Sequence, residues 1–171
     1  VLKRDGRVFV LTGDGELQEG QFWESLISAA NNKMDELVVI VDHNKLQSDT
    51  LVAHVSDLGD LEAKLKAFGW HVARCDGNDL AAFSATLDAC LAVTGKPKII
   101  VADTVKGKGV SFMEHTSIDS DVELYKFHSG APTSEAYVAG AQELIDLANR
   151  QLAEAGAAAL LLQVEEPPQA A

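Results

Sequence analysis

Apolar and polar positions along this chain fall into short continuous runs separated by segments with helical spacing. Arg7-Val8-Phe9-Val10-Leu11-Thr12 is the first run, and it closes on Gly13-Asp14-Gly15. Leu37-Val38-Val39-Ile40-Val41 is the second, and Lys98-Ile99-Ile100-Val101-Ala102-Asp103 is almost continuously apolar. All three read as strands, and an almost continuous run like the last marks a strand buried on both faces of a parallel sheet. Residues 19–32 read as one helix, so the first two runs form a βαβ unit whose strands are parallel. Leu58, Leu61, Leu65 and Phe68 stand at helical spacing and predict a helix over 58–68, with Gly69 as its stop. Trp70 to Cys75 predicts a further strand, turned by Asp76-Gly77. Asn78 or Asp79 then caps a helix over 80–93. Gly95-Lys96-Pro97 breaks that helix, 105–132 is irregular and dotted with glycine, and 134–154 reads as a final helix. The predicted class is α/β: a mostly parallel sheet with helices on both faces, in one domain over 1–162. The residues from 163 to 171, rich in glutamate and proline, read as a disordered tail.

This order of elements gives the turns their meaning. Asp14 and Asn44 both fall just past the carboxyl ends of strands, where open α/β sheets bind ligands. Neighbouring strands lie about 4.8 Å apart, so a carboxylate from one and an amide oxygen from the next can reach a single ion. Magnesium takes six hard oxygen ligands at about 2.0–2.1 Å. Asp14, Asn44 and a nearby backbone carbonyl supply three, leaving places for phosphate oxygens and a water. Gly15 lacks a side chain, so its N–H is open to close approach by a phosphate. Taken singly, Gly-Asp-Gly is an ordinary turn, and so is Asp-His-Asn-Lys.

The surroundings make the pair specific. Gly13-Asp14-Gly15-Glu16-Leu17-Gln18-Glu19-Gly20-Gln21, followed by Trp23-Glu24, resembles the thiamine-diphosphate motif of transketolases. Asp42-His43-Asn44-Lys45-Leu46-Gln47 resembles the second half of that motif. The stretch from Asp103-Thr104-Val105-Lys106-Gly107-Lys108-Gly109 to Phe112-Met113-Glu114 is similar to the form found in split, two-subunit transketolases. His128-Ser129-Gly130-Ala131-Pro132 resembles their His-Gly-Ala-Pro element, with Ser129 as an extra residue. These four ordered elements span most of the chain.

The resemblance implies a thiamine-diphosphate-binding fold, its diphosphate-binding half, incomplete at the N-terminal end. It implies that Gly13, Asp14, Gly15, Glu16, Asn44 and His128 bind thiamine diphosphate. Asp14 and Asn44 are implied Mg2+ ligands through their side chains, and Leu46 through its backbone carbonyl. His128 is the implied catalytic residue, close to diphosphate and substrate. Glu19 falls where the family carries a glutamate at the dimer interface. Lys106 and Lys108 either attract phosphates or are solvated loop lysines. The implied reaction moves a two-carbon ketol unit from a ketose donor to an aldose acceptor, with sugars or sugar phosphates as substrates.

Composition bounds the rest. The chain has 171 residues, enough for a real core. A formal charge of −12 argues against a nucleic-acid surface. The same charge means that local magnesium and oriented N–H groups, not the overall field, would have to hold an anionic cofactor. No apolar stretch approaches a membrane span. Cys75 and Cys90 form neither a metal pair nor a redox motif, and each reads as a small hydrophobe. With a charged turn and a strand where a leader would stand, the expectation is a cytoplasmic protein without membrane contact.

Several features depart from the family pattern. The glycine-rich Gly-Ser-Leu-Gly-Gln-Gly element and the earlier histidines of the family are missing from this sequence, so the sheet is expected to lack a strand and its helices on that side. Ser48-Asp49-Thr50 replaces the more usual Asp-Gly-x-Thr. The glutamate that activates the cofactor belongs, in this family, to a separate pyrimidine-binding domain. The resemblance therefore implies a pyrimidine-binding partner subunit, in a dimer of heterodimers, and no turnover by this chain alone. Two other readings stand beside it: a different thiamine enzyme, of the 2-oxo acid dehydrogenase or deoxyxylulose-phosphate synthase type, and a non-catalytic module that binds a partner only.

Overall fold

The first apolar run forms β1 (Val8–Gly13) and passes through a 3₁₀ turn (Asp14–Gln18) into helix α1 (Gly20–Asn31). A computed structural model of the chain describes residues 6–115 and 124–163. The second run forms β2 (Leu37–His43), and a small hairpin, β3 (Leu46–Gln47) with β4 (Thr50–Leu51), follows directly. Then come α2 (Val52–Ser56), α3 (Leu61–Ala67), β5 (His71–Asp76), α4 (Leu80–Leu91) and β6 (Lys98–Asp103). The last element is α5 (Ser134–Glu154).

Four strands make one sheet in the order β1-β2-β6-β5, and every pair in it is parallel. Helices cover both faces. Leu26 and Ala29 of α1, with Leu61 and Leu65 of α3, close over Val39, Val41, Ile99 and Val101 on one side. On the other side, Cys90 of α4 meets Val38 and Ile100, with Phe83 and Leu87 alongside. Alternate residues of β2 and β6 thus enter opposite cores, which is why Val38 to Val41 and Ile99 to Ala102 are apolar without interruption. Trp70 Nε1 donates to the Leu26 carbonyl at 3.0 Å and fixes the start of β5 against α1. Cys75 and Cys90 are free thiols, one on a strand and one on a helix face, as expected.

The third helix begins at Leu61, not at the expected Leu58. Asp60 accepts a hydrogen bond from Ala63 N at 2.9 Å and caps it there, while Gly59 with φ of +58° holds the preceding turn. Asp79 caps α4 in the same manner through the N–H groups of Ala81 and Ala82. That helix stops at Leu91, slightly earlier than the predicted 93. The hairpin and α2 are additions that the apolar pattern does not announce.

The chain divides into two compact units, Val1–Val105 and Lys106–Ala171. The sheet and α1 to α4 belong to the first. In the second, α5 starts at a Thr133 cap, whose Oγ1 accepts from Ala136 N at 3.2 Å. Glu143 of α5 holds Ser111 by two hydrogen bonds, at 2.6 Å to its N–H and 2.8 Å to its hydroxyl. Gly140 lets Val110 and Phe112 approach the helix, since a Cβ there would come within 3.1 Å of Val110 Cγ1. The predicted irregular stretch lies partly outside the described residues at 116–123, and all but the first residue of the predicted tail lies outside them at 164–171. No helix among the described residues is long and apolar enough to cross a membrane.

Candidate cofactor-binding site

Parallel pairing sets Gly13 opposite Asp42, so Asp14 leaves β1 beside the turn that follows β2. Asp14 is only 1% exposed. Its Oδ2 accepts a hydrogen bond from the backbone N–H of Lys45 at 2.6 Å. Its Oδ1 is buried and has no hydrogen-bond partner among the described residues. Asn44 is buried as well, and its Oδ1 accepts from Leu46 N at 2.9 Å, which shapes the turn. The turn carrying Asn44 and Leu46 is thereby drawn onto Asp14, with Lys45 in the left-handed region at φ of +68°.

Burial pushes the Asp14 carboxyl above the usual carboxylate range. The Lys45 N–H, the nearby His43 and the Gly15 N–H pull it back only in part. A buried carboxylate with an unused oxygen is costly unless a donor or a cation satisfies it. The oxygens of Asp14 and Asn44 are hard donors of the kind magnesium selects. Among the described residues no group of three or more His, Cys, Asp or Glu converges as a metal cluster, so the candidate ion site uses amide and backbone oxygens beside a single carboxylate. The residues present fit a magnesium ion.

Gly15 also packs closely against a side chain distant in the sequence. A Cβ at this position would lie 3.1 Å from Cγ of Gln47, a side chain whose Oε1 is also buried without a partner. The Glu16 carboxylate turns back onto the end of β1, accepting from Gly13 N at 2.7 Å and from the Thr12 hydroxyl at 3.1 Å. Gly13, Asp14, Gly15, Glu16, Asn44 and Leu46 therefore share one end of the sheet. Glu19 is exposed at the head of α1 and accepts from Gln21 Nε2 at 3.0 Å. His128 belongs to the second unit, where it is exposed and lies 2.9 Å from Lys106 Nζ through Nδ1.

The family described as transketolase, thiamine diphosphate binding domain, matches residues 3–152. The chain belongs to this family. An apulose-4-phosphate transketolase subunit of Actinobacillus succinogenes is 43% identical over 108 residues, covering 63% of this chain and 39% of that protein. The corresponding subunit of Phocaeicola vulgatus is 34% identical over 142 residues, covering 83% and 48%. Among solved structures, the transketolase of Campylobacter jejuni superposes with a TM-score of 0.61 at 28% identity, over 64% of this chain and 17% of that one. The chain spans less than half the length of the curated relatives it matches.

Behind the transketolase motif lies a supporting layer that the motif itself does not name. The Asp42 carboxylate accepts from Asn44 Nδ2 at 3.1 Å and from the Thr104 hydroxyl. These bonds and the Leu46 N–H together orient the Asn44 amide, its nitrogen toward Asp42 and its oxygen toward the turn. One residue on, His43 Nδ1 lies 2.7 Å from Asp103 Oδ1. Arg74 grips Asp103 with two hydrogen bonds, Nε at 2.6 Å and Nη2 at 2.9 Å, and reaches Glu62 at 3.4 Å. The Arg74 guanidinium holds the Asp103 carboxyl down at about 2, and the Arg74 pKa is itself raised by this partner. A cavity of about 570 Å³, lined in part by Asp14, His43, Lys45 and Arg74, opens at this end of the sheet.

The signal for this layer was present in the register. The two strands end on Asp42-His43 and Ala102-Asp103, and parallel pairing sets His43 opposite Asp103. Two polar strand ends side by side beneath a ligand turn are where supporting bonds form.

Proposed function

We propose that this chain is the diphosphate- and magnesium-binding part of a transketolase-like enzyme. The reaction transfers a two-carbon ketol unit from a ketose donor to an aldose acceptor, and it requires a pyrimidine-binding partner subunit. The observation that carries this reading is the buried, unpartnered Oδ1 of Asp14 beside Asn44 at the carboxyl ends of β1 and β2. Two relatives named as single subunits of a transketolase support the partner. The exposed Glu19 at the head of α1 is available for such an interface. The family match runs through both compact units, which supports one diphosphate-binding domain over 1–162.

In this reading Asp14 and Asn44 hold Mg2+ by their side chains and Leu46 by its carbonyl, with Asp42 fixing the Asn44 amide. Gly13, Gly15 and Glu16 shape the turn in which the diphosphate lies, and Gly15 offers its N–H. His128 approaches the diphosphate and the substrate. Thiamine diphosphate, when bound, supplies the carbon nucleophile that adds to a sugar carbonyl. The protein's share is to anchor, orient and shield.

The test is Asp14→Ala in the complex with a pyrimidine-binding subunit. Magnesium-dependent binding of thiamine diphosphate should be abolished while the circular dichroism of the chain is unchanged. Normal cofactor binding by that variant would show the site to be wrong. The relatives support the transketolase class over other thiamine enzymes, and an assay with pyruvate separates them: release of CO2 would favour a 2-oxo acid enzyme.

A further inference from the structure

We infer that Lys106 is a positioning residue that locks His128 in its Nε2–H tautomer, so that His128 presents a hydrogen-bond donor, not a base, to an oxygen of the bound ligand. The ligand's presence at His128 rests on the proposed function; the tautomer does not.

The inference begins from the chemistry of the contact. Lys106 Nζ lies 2.9 Å from His128 Nδ1. An ammonium has three donors and no acceptor, so the imidazole nitrogen facing it must be the acceptor. A neutral imidazole carries one proton, which then resides on Nε2. A doubly protonated ring would set two positive groups in contact.

The ammonium is held where it is by more than His128. It sits 5.3 Å from the centroid of the Tyr125 ring, within range of a cation–π interaction. Tyr125 is buried, and its hydroxyl donates to the Met113 carbonyl at 2.8 Å. Its ring also meets Phe127 edge to face at 5.9 Å, and Phe127 meets Phe112 at 5.6 Å. The Lys106 backbone is closed into a loop by two bonds to His115, one from His115 N at 3.0 Å and one to its ring at 3.1 Å. The Lys106 ammonium is thus tied to an aromatic cluster whose Phe127 immediately precedes His128 in the chain.

The consequence is chemical. With Nδ1 occupied by the ammonium and Nε2 protonated, the free edge of the ring can donate to a phosphate, hydroxyl or carbonyl oxygen. It has no lone pair with which to take a proton. The ammonium at Nδ1 polarises the ring and strengthens Nε2–H as a donor, which suits an electron-rich oxygen.

Long-range 1H–15N correlation spectra of the full chain, labelled at histidine, test this directly, with the His128 signal assigned through His128→Gln. The expected spectrum shows an acceptor-type 15N shift at Nδ1 and a pyrrole-type shift at Nε2. Lys106→Met should release the ring to the mixed tautomers of a free histidine, and Lys106→Arg should restore the wild-type pattern. A proton on Nδ1 in the wild type, or a pattern indifferent to Lys106→Met, overturns the inference. The functional reading fails separately: if His128→Gln leaves cofactor and substrate binding in the assembled complex unchanged, the site loses His128 while the tautomer stands.

Discussion

The backbone N–H of Lys45 donates to Asp14 Oδ2 at 2.6 Å, tying the end of β1 to the turn that follows β2. This bond uses one carboxylate oxygen and leaves the other buried with no hydrogen-bond partner among the described residues. The apo chain bears a cost that a cation would relieve.

That cost predicts opposite effects on stability and binding. Burial raises the Asp14 pKa in the folded chain. A carboxyl with a raised folded pKa favours folding when protonated, and this contribution is lost as pH rises through its folded value. At neutral pH the ionised group therefore destabilises the apo protein. Asp14→Asn keeps an acceptor for Lys45 N–H and removes the charge. Its apo melting temperature should rise by about 2–4 °C, the shift that ~1 kcal/mol produces in a chain of this size. Magnesium with thiamine diphosphate should stabilise the wild-type complex and leave the variant complex unmoved. Melting curves with and without the two ligands decide it; an apo variant less stable than wild type would contradict the account.

Asp42 stands one step behind the proposed ion site. It fixes the Asn44 amide through Nδ2 and is itself held by the Thr104 hydroxyl. Asp42→Ala frees the amide to rotate, and affinity of the complex for the metal should fall about 10- to 100-fold, as for other lost supporting partners. Thr104→Val should have a smaller effect of the same sign. Titration with Mn2+ followed by electron paramagnetic resonance measures both, and equal affinity in Asp42→Ala would remove Asp42 from the site.

The Arg74–Asp103 pair predicts a pH dependence. Its two hydrogen bonds depress the Asp103 pKa from an ordinary 3.8 to about 2. A depressed folded pKa gives stability that is present above the unfolded value and is lost as pH falls toward the folded one. The window is therefore between pH 4 and pH 2. Both side chains keep partial contact with water, so screening limits the effect to about 1 kcal/mol. Arg74→Met should cost that much at pH 7 and flatten the acid limb of a urea stability profile. An unchanged limb would mean that solvent screens the pair completely.

The sheet, its parallel pairing and the positions of the turns after β1 and β2 were legible because they depend on local chemistry. The apolar runs of β2 and β6 reflect burial on two faces, whereas Val8 to Leu11 of the edge strand β1 are exposed, and Asp79 marks a helix start by its side chain where the Asp60 cap was missed. What was hidden depends on distant partners. The close packing of Gly15 against the Gln47 side chain, thirty-two residues on, is one such contact. The hairpin after Leu46 forms although Ser48 must adopt φ of +55°, a conformation that glycine reaches most readily. Lys106 gives no sign of its partner, because only the chain's return through residues 124–128 brings Tyr125 and His128 to it.

Gly107 shows how the Lys-Gly-Lys-Gly stretch is constrained by its backbone as much as by its charge. Its φ is +79°, and a Cβ there would fall 2.1 Å from the carbonyl oxygen of Met113, the acceptor of the Tyr125 hydroxyl. Gly95 has a similar φ of +71° but nothing within 4 Å of an added Cβ. Gly95→Ala should therefore cost only the conformational penalty of about 1 kcal/mol. Gly107→Ala carries that penalty and must also push Met113 away, opening the loop that holds Lys106. Hydrogen exchange should accelerate at Met113, Glu114 and His115 in Gly107→Ala, whereas the strands of the first unit keep their protection. Equal, small effects of the two substitutions would show that the loop yields without strain, and the contact with Met113 would then not explain the glycine.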